Sequence, residues 1–139
     1  MLDFTNANHM IKLLEDKYKC FDKEEFHGEL LCGVDLGTAY IVLVALDKDM
    51  KPVACEMEFA QVVRDGLLVD FAGARSILKR LKERAEGKLG VELTKAAIAV
   101  PPGTGKRDSD SHRYVVEGAG FEVTSILDEP TAANSVLKI

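Results

Sequence analysis

A chain of 139 residues that is 47% hydrophobic and 29% charged has the balance of a folded globular domain rather than a disordered or fibrous protein. At that length about two-thirds of the unfolded chain's surface can be buried without staples. A net charge of −5 excludes a general nucleic-acid binder, which needs a basic field, but not a local cradle of backbone N–H groups around a nucleotide phosphate.

Cys20, Cys32 and Cys55 are odd in number and contain no Cys-x-x-Cys pair, which supports neither a disulfide framework nor a zinc site and points to a reducing, cytoplasmic setting. No apolar run has the form of a signal peptide or a membrane span. His9, His27 and His112 are dispersed without metal-ligand spacing, so surface or capping roles are expected of them. Ser109 and Ser111 lack the Gly-x-Ser-x-Gly context of an activated nucleophile.

Ile11, Leu14, Tyr18 and Phe21 recur at helical spacing, so residues 1–29 read as an extension carrying an amphipathic helix, with Asn6 or Asn8 as its cap. From Leu30 the pattern turns to β: Leu30–Val34, Ala39–Leu46 and Pro52–Ala60, with Gly37-Thr38 and Asp47-Lys48-Asp49 between them, predict a three-stranded antiparallel meander. Val62–Val69 predicts a small hairpin about Asp65-Gly66. A helix follows, with Phe71, Ala74, Ile77, Leu78, Leu81 and Ala85 on its buried face, Lys79, Arg80, Lys82, Glu83 and Arg84 on a solvated one, and Gly87 and Gly90 at its end.

Next come a buried strand, Ala96–Val100, a polar loop from Pro101 to Ser111, a helix from about His112 to Ala119, the strand Phe121–Leu127 and a final helix after Asp128. The order βββαβαβα over residues 30–139 implies one α/β domain. Its mixed five-stranded sheet has three antiparallel strands followed by parallel ones, with flanking helices.

Asp35 falls at the end of the first strand, and Gly37-Thr38 turn the chain into the second. A residue without Cβ lets backbone N–H groups approach phosphate oxygens, and a carboxylate can hold a metal's water shell. In Asp128-Glu129-Pro130-Thr131 the aspartate can cap a helix and the proline fits its first turn, which leaves Glu129 at the carboxyl end of a parallel strand, where open α/β sheets bind ligands. Alone, the first motif reads as a bare hairpin turn and the second equally as a helix start; their joint occurrence favours a site. Val100–Arg107 resembles a phosphate-binding Walker loop but lacks its first glycine at Val100 and its magnesium-binding hydroxyl at Arg107.

Three segments together carry a resemblance over about Leu30 to Ile139: Cys32–Tyr40, Ile98–Pro101, and Gly118–Val123 leading into Asp128–Ala133. In this order they resemble the first lobe of the DnaK-type heat-shock chaperones and bacterial actin-like ATPases, a ribonuclease H-like fold, and most of all the compact members that serve ethanolamine utilisation. That resemblance implies ATP and Mg2+, bound in a cleft between two lobes. It implies that Asp35 orders the magnesium water shell, that Gly37, Thr38, Ala39 and Tyr40 line the phosphates, that Glu129 positions metal or attacking water, and that Pro101 acts as a conformational relay. It also implies protein partners in an ethanolamine-utilisation or microcompartment system.

The chain departs from the chaperones in having no large insertion between Ala60 and Phe71, where they carry a catalytic lysine, and in the glycine-rich loop after Pro101. It stops at Ile139, within what reads as the final helix, so a second lobe is expected to be missing and ATP to bind this chain weakly or not at all. A non-hydrolysing scaffold of the same fold is the alternative, since Val63-Arg64-Asp65-Gly66 is similar to the pilus-assembly and cell-division relatives.

Overall fold

The computed structural model describes residues 29–101 and 103–128. The N-terminal helix expected over Ile11–Phe21 and the helix expected after Asp128, with Glu129, lie outside the described residues.

β1 (Leu31–Leu36), β2 (Tyr40–Leu46) and β3 (Pro52–Phe59) form the expected antiparallel meander, in register from Leu31 opposite Leu46 to Leu36 opposite Ile41. Asp47 sets the β2–β3 turn: its buried carboxylate accepts the N–H groups of Asp49 (2.9 Å) and Lys51 (3.0 Å), which offsets the left-handed backbone of Met50 (φ 61°). β4 (Val63–Arg64) and β5 (Leu67–Leu68) pair about Asp65 (φ 52°) and Gly66 (φ 79°), the two positive angles that a tight hairpin turn demands.

Helix α1 (Phe71–Leu89) starts where the Asp70 carboxylate accepts the Gly73 N–H (2.9 Å) and ends where Gly90 turns left-handed (φ 72°). Gly87 therefore lies inside the helix rather than at its end. Its buried residues are Ala74, Leu78, Leu81, Lys82, Ala85 and Leu89, a stripe at i, i+4, i+7, i+8, i+11 and i+15.

Two further expectations for α1 fail. Phe71, the first helical residue, is half exposed, and Lys82 is buried rather than solvated. Lys82 occupies the i+8 position of the stripe, so its stem packs inward, while its ammonium lies 5.5 Å from the centre of the Phe121 ring and donates to Glu86 (2.7 Å). Arg80 and Arg84 are not merely solvated either: both bind the Glu58 carboxylate of β3, at 2.6 and 2.9 Å, and Lys88 pairs with Glu56.

β6 (Lys95–Val100) and β7 (Glu122–Asp128) complete a five-stranded sheet of order β3-β2-β1-β6-β7, with β6 parallel to both β1 and β7. Cys32, Val34 and Leu36, Ile41 and Leu43, and Ala96, Ile98 and Val100 form the core face of the sheet, which α1 and helix α2 (Lys106–Gly118) cover. This is the predicted mixed α/β sheet.

α2 begins at Lys106, six residues before the predicted His112. Its first turn carries no apolar residue to reveal a period, and its start is set by Gly105 in extended conformation, with Asp108 in the first turn complementing the helix dipole. His112 also departs from the expected surface or capping role: with Val115 and Val116 it makes the buried stripe of α2 and is fully buried.

Candidate functional site

The alternation along β1 sends Cys32, Val34 and Leu36 toward the helices, which leaves Gly33 and Asp35 on the opposite face. Asp35 stands beside Val42 of β2 and Ala99 of β6, and Ala99 is in register with Leu127 of β7. Asp35, Ala99 and Leu127 thus make one row across the three parallel strands, spanning two strand spacings, about 10 Å. The carboxyl ends of β1, β6 and β7, with Pro101 half-buried after β6 and Asp128 closing β7, gather at one edge of the sheet.

The β1–β2 turn rises at that edge. The Gly37 N–H donates to the Tyr40 carbonyl (2.9 Å), and the Ala39 carbonyl accepts the Ala60 N–H (2.8 Å), which ties the turn to the end of β3. A Cβ at Gly37 would lie 2.8 Å from the Tyr40 oxygen, so the turn closes around a residue with no side chain; Asp35 Oδ1 is 4.0 Å from the same point. Thr38, Ala39 and Tyr40 are exposed. Among the predicted site residues the fold brings Asp35, Gly37, Thr38, Ala39, Tyr40 and Pro101 to one edge, and Glu129 lies outside the described residues.

In the Walker-like segment Gly103 is left-handed (φ 78°), Thr104 donates its backbone N–H and hydroxyl to the Pro101 carbonyl, and Lys106 opens α2. No group of three metal-ligating side chains occurs among the described residues, and none of their helices is long and apolar enough to cross a membrane.

Elsewhere burial governs the titratable groups. It pushes the Cys32 thiol up to about 12 and the Cys55 thiol to about 11, so neither is a nucleophile. Burial also pushes the His112 imidazole below its ordinary 6.5, against the opposing pull of Asp108 one turn earlier, and neither ring nitrogen has a hydrogen-bond partner among the described residues. The sequence contained a signal for His112, its i, i+3, i+4 spacing with Val115 and Val116.

The family model described as Hsp70 protein matches residues 72–136, which span α1, β6, α2 and β7. The ethanolamine utilization protein EutJ of Escherichia coli (strain K12) is 44% identical over 110 residues, 79% of this chain and 38% of that protein. The HscA chaperone homologue of Chromobacterium violaceum is 40% identical over 72 residues, 52% of this chain and 12% of its own length. The crystal structure of EutJ from Carboxydothermus hydrogenoformans superposes with a TM-score of 0.88 and 43% identity, covering 97% of this chain and 51% of that one. The chain belongs to the Hsp70-type, actin-like superfamily.

Its mixed sheet is thus an actin-like ATPase fold. The chain spans about half of the solved superfamily member and less of the E. coli protein. The β1–β2 turn lies outside the stretch that the Hsp70 model matches.

Proposed function

We propose that residues 30–139 are the first of two lobes of a cytoplasmic, actin-like, chaperone-like protein that binds Mg-ATP and serves ethanolamine utilisation by helping to assemble or maintain a microcompartment enzyme system. Residues 1–29 form its N-terminal extension. The likeness to the two EutJ proteins supports the setting. The observation that carries nucleotide binding is the Gly37 turn, closed on the Tyr40 carbonyl beside the Asp35 carboxylate at the carboxyl end of a parallel sheet.

The residues at this edge fit the group. A hard carboxylate oxygen suits Mg2+, which keeps its water ligands, so Asp35 would hold the ion through water. Thr38, Ala39 and Tyr40 present backbone and hydroxyl donors to phosphate oxygens, and Gly37, whose N–H closes the turn on the Tyr40 carbonyl, leaves room for the phosphate to approach. Glu129, one residue past β7, would orient the attacking water, and Pro101 would relay strain from this edge into α2. Bound Mg2+ would supply charge neutralisation on the phosphates.

One observation favours a second reading, a non-hydrolysing scaffold. Between Phe59 and Phe71 the chain forms only the β4–β5 hairpin, with no room for the inserted subdomain that carries the chaperones' catalytic lysine. Calorimetric titration of Mg-ATP into the full-length gene product separates the two: binding that Asp35→Asn weakens at least tenfold supports the nucleotide site, and absence of binding moves the protein to the scaffold class.

A further inference from the structure

Two large aromatic side chains stand exposed beside the proposed phosphate turn. Tyr40 is 46% exposed and Phe59 62%, although both belong to strands whose other aliphatic residues are mostly buried. They are direct cross-strand partners at the ends of β2 and β3, and their rings meet edge to face, with centroids 5.8 Å apart at 83°. Phe59 therefore contributes little to the core.

The main chain of Tyr40 is held twice, by the ladder to Phe59 and by the Gly37 N–H on its carbonyl, but its half-exposed ring has only Phe59 as an aromatic neighbour among the described residues. An exposed tyrosine with a free χ1 loses rotamer freedom when it closes on a ligand, and an edge-to-face partner removes that loss beforehand. From this juxtaposition we propose that Phe59 is a positioning residue, which orders Tyr40 for the polyphosphate of a nucleoside triphosphate. The inference rests on the nucleotide reading above. It adds a residue on β3, outside the turn, to the determinants of affinity.

The test is a double-mutant cycle in the full-length protein, with Mg-ATP affinity measured by calorimetry and the Tyr40 side-chain rotamer by NMR coupling constants. Phe59→Ala should weaken Mg-ATP about fivefold, the scale of one aromatic contact, and average the Tyr40 χ1. Phe59→Tyr should restore both, and Phe59→Ala should have no further effect in a Tyr40→Ala background. Unchanged affinity in Phe59→Ala, or an equal loss with Tyr40 already removed, overturns the inference while leaving the nucleotide site intact. Failure of the wild-type protein to bind Mg-ATP overturns both.

Discussion

The Gly37 amide donates to the Tyr40 carbonyl at 2.9 Å, and a methyl group placed on Gly37 would stand 2.8 Å from that same oxygen. Backbone, not a flexible side chain, is what the methyl would strike, so the turn must open to admit it. Gly37→Ala should destabilise the domain by about 1–3 kcal/mol, the range for overpacking a closed site. It should also abolish nucleotide binding, because opening the turn disperses its donors. Thermal unfolding and Mg-ATP titration of the variant check both parts.

In the full-length protein, Asp35→Asn and Glu129→Ala should each lower any ATP turnover by roughly 10² or more, the usual scale for losing a positioned electrostatic group. The two losses should be less than additive, since in the proposed site both residues would act on one metal–water–phosphate arrangement. Steady-state turnover of the single and double variants decides it; unchanged rates in both single variants would remove the site assignment.

Glu86 serves two groups at once, the Lys82 ammonium at 2.7 Å and the Leu93 N–H at 2.8 Å. Truncating it strands a lysine whose side chain is only 10% exposed, so Glu86→Ala should cost about 3 kcal/mol. Lys82→Met keeps the stem over Phe121 and leaves Glu86 its backbone partner, so it should cost less than about 1 kcal/mol. Denaturant unfolding of the two variants reads this asymmetry.

His112 makes stability depend on pH. Its folded-state value is depressed, so above about pH 6.5 both the folded and unfolded forms are neutral there and no stability is lost. As the pH falls below that value the unfolded chain takes up the proton first. The folded state loses ground until the pH passes its own lower value. The melting temperature should therefore drop as the pH falls below about 6.5, and the drop should be smaller in His112→Leu, which fills the same buried position without a titrating group.

The meander, the Asp65-Gly66 hairpin and the two later strands were legible because each rests on local chemistry: alternating apolar residues, or turn residues with the backbone angles required there. The start of α2 was not legible, because Lys106 to Ser111 offer no apolar period and the helix is set by Gly105 and by packing of the next turn. Lys82 and His112 misled for one reason. Polarity alone assigns each to the surface, whereas its place in the apolar stripe of its helix puts it inside. At the site, Asp35 and the Gly37 turn could be named from sequence. Their alignment with Ala99 and Leu127 is a matter of strand order and register, which no local pattern carries.

Whether the β1–β2 turn is the phosphate-binding edge can be read by amide NMR of the full-length protein during titration with Mg-ATP. The resonances of Asp35 to Tyr40 and of Val100 should shift together at one affinity, and Asp35→Asn should suppress those shifts. Shifts confined to the start of α2, at Lys106 to Ser111, or none at Gly37 and Thr38, would contradict this assignment.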